Sequence, residues 1–106
     1  MAWTLVCPIS DVAENMVKRF EIGPGVAVYN IDGEFYVTDD ECTHAAASLA
    51  DGILEGETIE CALHFGAFNV KTGEAVQAPC FTALRTYKVA VRDGNVYVDL
   101  EKEAGD

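Results

Sequence analysis

Positive charge, histidine and proline are all scarce in this chain. Seven lysines and arginines face eighteen acids, giving a net charge of −11, with only two histidines and three prolines among 106 residues. So acidic a surface repels nucleic-acid phosphates and anionic membranes, and it suits docking on a basic patch of a protein partner. No apolar run approaches the ~20 residues that a membrane helix needs. The opening "MAWTLVCPISDV" has neither a basic n-region nor a long apolar core, so no export signal is expected. That points to the cytoplasm, where the four cysteines would stay reduced rather than form a disulfide framework. Internal repeats and low-complexity segments are also lacking, and the length fits one domain over residues 1–106.

What is present reads as short strands between turns, the pattern of an all-β sandwich or barrel. "TLVC" (4–7), "MVKRFEI" (16–22), "VAVYNI" (26–31), "EFYVT" (34–38), "TIEC" (58–61) and "AFNV" (67–70) are predicted strands. "RTYKVAVRDGNVYVDL" is the clearest hairpin: apolar residues alternate on both sides of Asp93-Gly94. Asp32-Gly33 marks a second hairpin. "SDVAE" (10–14) offers a serine cap before one helical turn, "AAASLADG" suggests another turn, and the tail "EKEAGD" reads as frayed.

Both histidines lie beside a cysteine. "ECTHAAAS" holds Cys42 and His44, and "ECALHFGAF" holds Cys61 and His64, giving C-x-H-x₁₆-C-x₂-H. Both phrases fall at strand ends, where loops on a rigid sheet carry chemistry. Two thiolates and two imidazoles leave three candidates. A structural zinc accepts this donor set, although finger spacing pairs like with like. A Cys–His nucleophile uses one pair and leaves the other unexplained. A [2Fe–2S] cluster with two histidines on one iron uses both.

Around this motif the chain resembles the Rieske-type ferredoxins of multicomponent aromatic-ring-hydroxylating dioxygenase systems. The resemblance rests on "CTH" (42–44), "DGILEG" (51–56), "ECALHFGAFNVKTGEA" (60–75), "APC" (78–80) and the closing "DGNVYVDL". It spans nearly the whole chain. It implies a small antiparallel β-sandwich with a cluster-binding subdomain at about residues 41–80, formed by two ligand loops and a proline loop. Carried over, Cys42 and Cys61 ligate one iron of a single [2Fe–2S] cluster, and His44 and His64 the other. The implied role is that of a soluble one-electron carrier. Its donor would be an NADH-dependent flavoprotein reductase and its acceptor a terminal Rieske non-haem iron oxygenase. The chain itself would catalyse no bond chemistry. A diiron aromatic monooxygenase as acceptor and a redox-inactive zinc interaction module are the rival readings.

Flanking residues carry further expectations. Gly66 lets the backbone approach the cluster, Phe65 and Phe68 wall off water, and Pro79 belongs to a covering loop. The second ring nitrogens of the histidines form the expected electron portal, and some of the acids Asp39, Asp40, Glu41 and Glu60 are expected to steer the partner. Cys7 reads as a small buried hydrophobe and Cys80 as a non-ligand near the cluster. With two thiolates an oxidised cluster is neutral, so it accepts an electron more readily than a four-cysteine site. Rieske centres span about −150 to +300 mV, against about −400 mV for plant-type ferredoxins. High-potential relatives carry a disulfide cysteine in each loop, then a serine and a tyrosine after the second histidine. Here Ala47, Leu63, Gly66 and Phe68 stand at those places, which predicts a potential near the low end.

Overall fold

A computed structural model of the chain describes residues 3–43, 46–63 and 65–104. Among the described residues ten strands form two antiparallel sheets. The larger contains β1 (Trp3–Pro8), β2 (Met16–Phe20), β3 (Val26–Ile31), β4 (Glu34–Asp39), β9 (Thr86–Arg92) and β10 (Asn95–Asp99), in the order β1-β10-β9-β4-β3-β2. The smaller contains β5 (Ile53–Glu55), β6 (Thr58–Glu60), β7 (Ala67–Asn69) and β8 (Ala75–Gln77), in sequence order. The all-β class expected from the sequence is what the chain adopts. Among the described residues no helix is long and apolar enough to cross a membrane.

Both Asp-Gly pairs make the tight turns that the sequence predicts. Asp32 and Gly33 have φ of 54° and 91°, and Asp93 and Gly94 have 51° and 77°. Two successive positive φ values match the right-handed twist of the flanking strands. They set the registers Ile31↔Glu34 and Asn95↔Arg92.

β3 is buried along its whole length because both of its faces are covered. Val26 and Val28 pack with Cys7, Val12, Val37, Tyr87, Val96 and Val98 in one core. Ala27, Tyr29 and Ile31 pack with Cys42, Leu49, Ile59, Cys61, Phe68, Val70, Cys80 and Leu84 in the other. The period-two alternation of a strand thus splits "VAVYNI" between two cores. One of them contains three of the four cysteines. The Tyr29 hydroxyl, buried there, is satisfied by Thr38 Oγ1 at 2.9 Å.

Three expectations change. "SDVAE" is not a capped helical turn: Ile9–Asp11 forms a 3-10 turn with no side-chain cap, and Val12 leaves it extended. Val12 is 2% exposed, so its burial overrides the local signal. β2 stops at Phe20 rather than Ile22, because Gly25 N–H donates to Ile22 O at 2.9 Å and closes the Gly-Pro-Gly turn. The tail is anchored as far as Lys102, whose carbonyl accepts Lys88 N–H at 3.1 Å; Gly105 and Asp106 lie outside the described residues. The turn expected in "AAASLADG" is present as Leu49–Asp51.

Candidate metal centre

Three loops project from the ends of these strands and meet at the second core. The first, after β4, is pinned at its base by Asp40. This carboxylate is fully buried. It accepts Arg19 Nη1 at 2.6 Å and Ala50 N–H at 3.0 Å, while its backbone carbonyl accepts Leu49 N–H at 2.7 Å. A lone bridge between Glu41 and Ser48 and a bond from Cys42 N–H to Ala47 O at 2.9 Å then draw the loop into a neck. Cys42 sits on the inner side of that neck and is buried.

The second loop joins β6 to β7. Its neck is the bond from Cys61 N–H to Gly66 O, 2.7 Å, with Cys61 fully buried. Phe65 takes a left-handed φ of 59° to bring the chain back. The third loop follows β8 through a cis Ala78–Pro79 bond. Gln77 Nε2 donates to Phe65 O at 3.0 Å, joining the third loop to the second. Thr43 Oγ1 donates to Thr82 O at 2.8 Å, joining it to the first. The second and third loops also touch directly. A Cβ on Gly66 would overlap Cys80 Sγ and would stand 3.1 Å from Cys80 N and 3.2 Å from Pro79 Cδ.

These necks gather three thiols. Cys42 Sγ lies 4.0 Å from Cys80 Sγ. Burial raises the Cys61 pKa most, a backbone hydrogen bond from Leu63 opposes the rise, and the Cys42 thiol adds to it. Burial likewise raises Cys80, with Cys42 opposing and Cys61 adding. Among the described residues, which include every cysteine, there is no disulfide. Cys7 lies in the other core, so its sequence reading as a buried small hydrophobe holds and a Cys7–Cys80 bridge has no geometric basis.

Of the four sequence-predicted ligands, Cys42 and Cys61 come together in one buried place. His44 and His64 lie outside the described residues, among which no group of three or more His, Cys, Asp or Glu side chains forms a metal site. Two other expectations need correction. Phe65 is 60% exposed, so it stands at the surface rather than in the core, whereas Phe68 is fully buried. Asp40 cannot steer a partner, because its charge is internal and committed to Arg19. Asp39 is only half-buried, but its carboxylate accepts the Tyr87 hydroxyl, so it too serves within the fold. Sequence separation hid the contact of Cys80 with Cys42, 38 positions away. The "APC" phrase located its loop but not its neighbour.

Buried, adjacent thiols without a disulfide, beside a glycine whose absent side chain leaves the loops in contact, suit a metal held by thiolates in a dry site. A family profile described as Rieske [2Fe–2S] domain matches residues 2–88. The chain belongs to the Rieske [2Fe–2S] family. Ferredoxin CarAc of Metapseudomonas resinovorans is 44% identical over 103 residues, covering 95% of this chain and 96% of that one. The 3-phenylpropionate/cinnamic acid dioxygenase ferredoxin subunit of Photorhabdus laumondii subsp. laumondii is 38% identical, covering 97% and 99%. Among solved structures, a chain from the complex of reduced oxygenase and oxidized ferredoxin in carbazole 1,9a-dioxygenase superposes with a TM-score of 0.89. It is 41% identical and covers 95% of this chain and 94% of that one. The Rieske resemblance read from the sequence therefore stands, and with it the cofactor: one Rieske-type [2Fe–2S] cluster. Both relatives are named as ferredoxins, which are electron carriers rather than enzymes.

Proposed function

We propose that this Rieske domain is the ferredoxin of an aromatic-ring dioxygenase system. It takes single electrons from an NADH-dependent flavoprotein reductase and delivers them to a terminal Rieske non-haem iron oxygenase. The convergence of buried Cys42 and Cys61 at the necks of two loops supports this most directly. In this reading they hold one iron and His44 and His64 the other, with residues of about 41–80 forming the cluster-binding part of a single domain over 1–106. Bound there, the cluster supplies a reversible one-electron couple.

The protein's own part is to hold and insulate that couple. Asp40 and Arg19 fix the first loop, the Cys61–Gly66 neck fixes the second, and Phe68, Ile59 and Leu49 fill the space behind them. Around the loops the surface is apolar and acidic. Leu63, Phe65 and Phe81 are exposed large side chains on the second and third loops, and Glu41 is exposed at the first. Apolar contact with a charged rim suits a brief encounter with an oxygenase, and Glu41 and Glu60 take over the steering role expected of Asp39 and Asp40.

The test uses purified holoprotein with a flavoprotein reductase, NADH and a candidate ring-hydroxylating oxygenase. The expected result is a Rieske-type EPR signal on reduction, followed by ferredoxin-dependent product formation. The reversals Glu41→Lys and Glu60→Lys should flatten the salt dependence of electron delivery. A protein that binds zinc and gives no EPR signal would overturn the reading. Reduction without delivery to any ring-hydroxylating dioxygenase, but with delivery to a diiron monooxygenase, would overturn the choice of acceptor.

A further inference from the structure

The ligand loops lack the serine and tyrosine hydroxyls that act on sulfur in high-potential relatives, yet another hydrogen-bond donor lies against Cys42. Cys80 Sγ is 4.0 Å from Cys42 Sγ, within reach of a sulfur–sulfur hydrogen bond. Both side chains are at most 4% exposed, so water does not compete for the contact. Cys80 is also held in place. Its N–H donates to Gln77 O at 3.2 Å, and its thiol occupies the space a side chain at Gly66 would need. Thr82, two residues on, accepts Thr43 from the first loop. A thiol carries a single donor hydrogen. Once Cys42 is a metal-bound thiolate it has no hydrogen to give, so any hydrogen bond in the pair runs from Cys80 to Cys42.

We infer that Cys80 is a positioning residue for electron transfer: its S–H donates to the Cys42 thiolate and raises the reduction potential of the cluster. This rests on the reading of Cys42 as an iron ligand. Reduction places an added negative charge on the cluster and its sulfurs, and a donor to such a sulfur stabilises the reduced form more than the oxidised one. Burial strengthens the effect, because the low local dielectric leaves the bond unscreened. A weak S–H donor calls for a modest effect. We expect a two- to fivefold change in the reduction equilibrium, or about 20–40 mV at 59 mV per tenfold for one electron.

The experiment compares wild-type holoprotein with Cys80→Ala and Cys80→Ser at matched iron and sulfide content. Protein-film voltammetry should place Cys80→Ala below wild type by that amount. Cys80→Ser, which keeps a hydroxyl donor, should recover part or all of the shift. Equal shifts in both variants, or no shift in either, would overturn the inference, because packing alone treats the two alike. Infrared spectroscopy of the wild type supplies a readout that does not depend on a variant folding. With Cys42 and Cys61 as thiolates, Cys7 and Cys80 keep their S–H groups. One S–H band should move to lower frequency on reduction as its hydrogen bond strengthens, and two unmoved bands would overturn the inference. The ligand reading has its own check. A Rieske EPR signal that survives in Cys42→Ala would remove the ligand reading itself, whereas an intact signal with an unmoved potential in Cys80→Ala removes only the role of Cys80.

Discussion

Replacing Gly66 by alanine should loosen the junction of the second and third loops by a calculable amount. The added Cβ would overlap Cys80 Sγ and would press on Cys80 N and Pro79 Cδ at 3.1 and 3.2 Å. Two of those neighbours belong to backbone or a proline ring and have little freedom to move. Overpacking of this kind costs about 1–3 kcal/mol. Gly66 does not lie in the left-handed region, so the change carries no backbone strain. The shorter list of unfolded conformations returns about 0.4–1 kcal/mol. The net is a destabilisation of about 1.3 kcal/mol at the midpoints of these ranges, ~2.6 kcal/mol at most, and each kcal/mol moves the melting midpoint of a domain this size by about 4–8 °C. Far-UV circular dichroism at a fixed scan rate, on holoprotein of matched iron content, measures it. Cys80→Ala in the same background removes the sulfur but not the other two contacts. The double variant should therefore fall short of the summed single losses by more than about 0.5 kcal/mol. A Gly66→Ala protein as stable as wild type would refute the close approach. Strict additivity would refute Cys80 Sγ as the atom in the way.

Other expectations concern the first loop and the potential. Asp40→Ala removes the acceptor of both Arg19 and the Ala50 amide, leaving a partly buried N–H without that acceptor at the base of the loop, so the visible cluster absorbance should bleach several-fold faster under air. The potential itself should lie near −150 mV, roughly the bottom of the Rieske range, and a voltammetric value above zero would contradict the reading of Ala47, Leu63, Gly66 and Phe68. Phe68 is fully buried in the ligand-side core. Phe68→Tyr should raise the potential if its hydroxyl reaches a sulfur; a lowered melting midpoint at unchanged potential would show that it does not.

The hairpins were legible because their signal is local. Asp-Gly dipeptides dictate a turn whatever surrounds them, and alternation on either side names the buried face. The strands β5 and β8 were not legible: they are the two edges of the smaller sheet, each paired on one side only, with β6 and β7. The spacing of the cysteine–histidine phrases narrowed the centre to three candidates, and the family resemblance chose the [2Fe–2S] cluster among them. What the phrases concealed was the state of the neighbours. Asp40 reads as one of three consecutive acids, and its burial is decided by Arg19, 21 positions earlier. Phe65 looks like core from its type, but the loop must turn through a left-handed residue there, and the ring is left outside. Cys80 could not be placed beside Cys42 without knowing that the third loop folds over the first.

Cys42, Cys61 and Cys80 belong to the same buried group as Tyr29, Leu49, Ile59 and Phe68. With Cys42 and Cys61 as the proposed ligands, the metal is no pendant on a finished scaffold. Anything that empties the site also opens one of the two interiors that β3 divides, and anything that melts that interior releases the iron. Colour then becomes a folding probe. The fading of the visible spectrum and the hydrogen exchange of the β3 amides should report one event on one timescale.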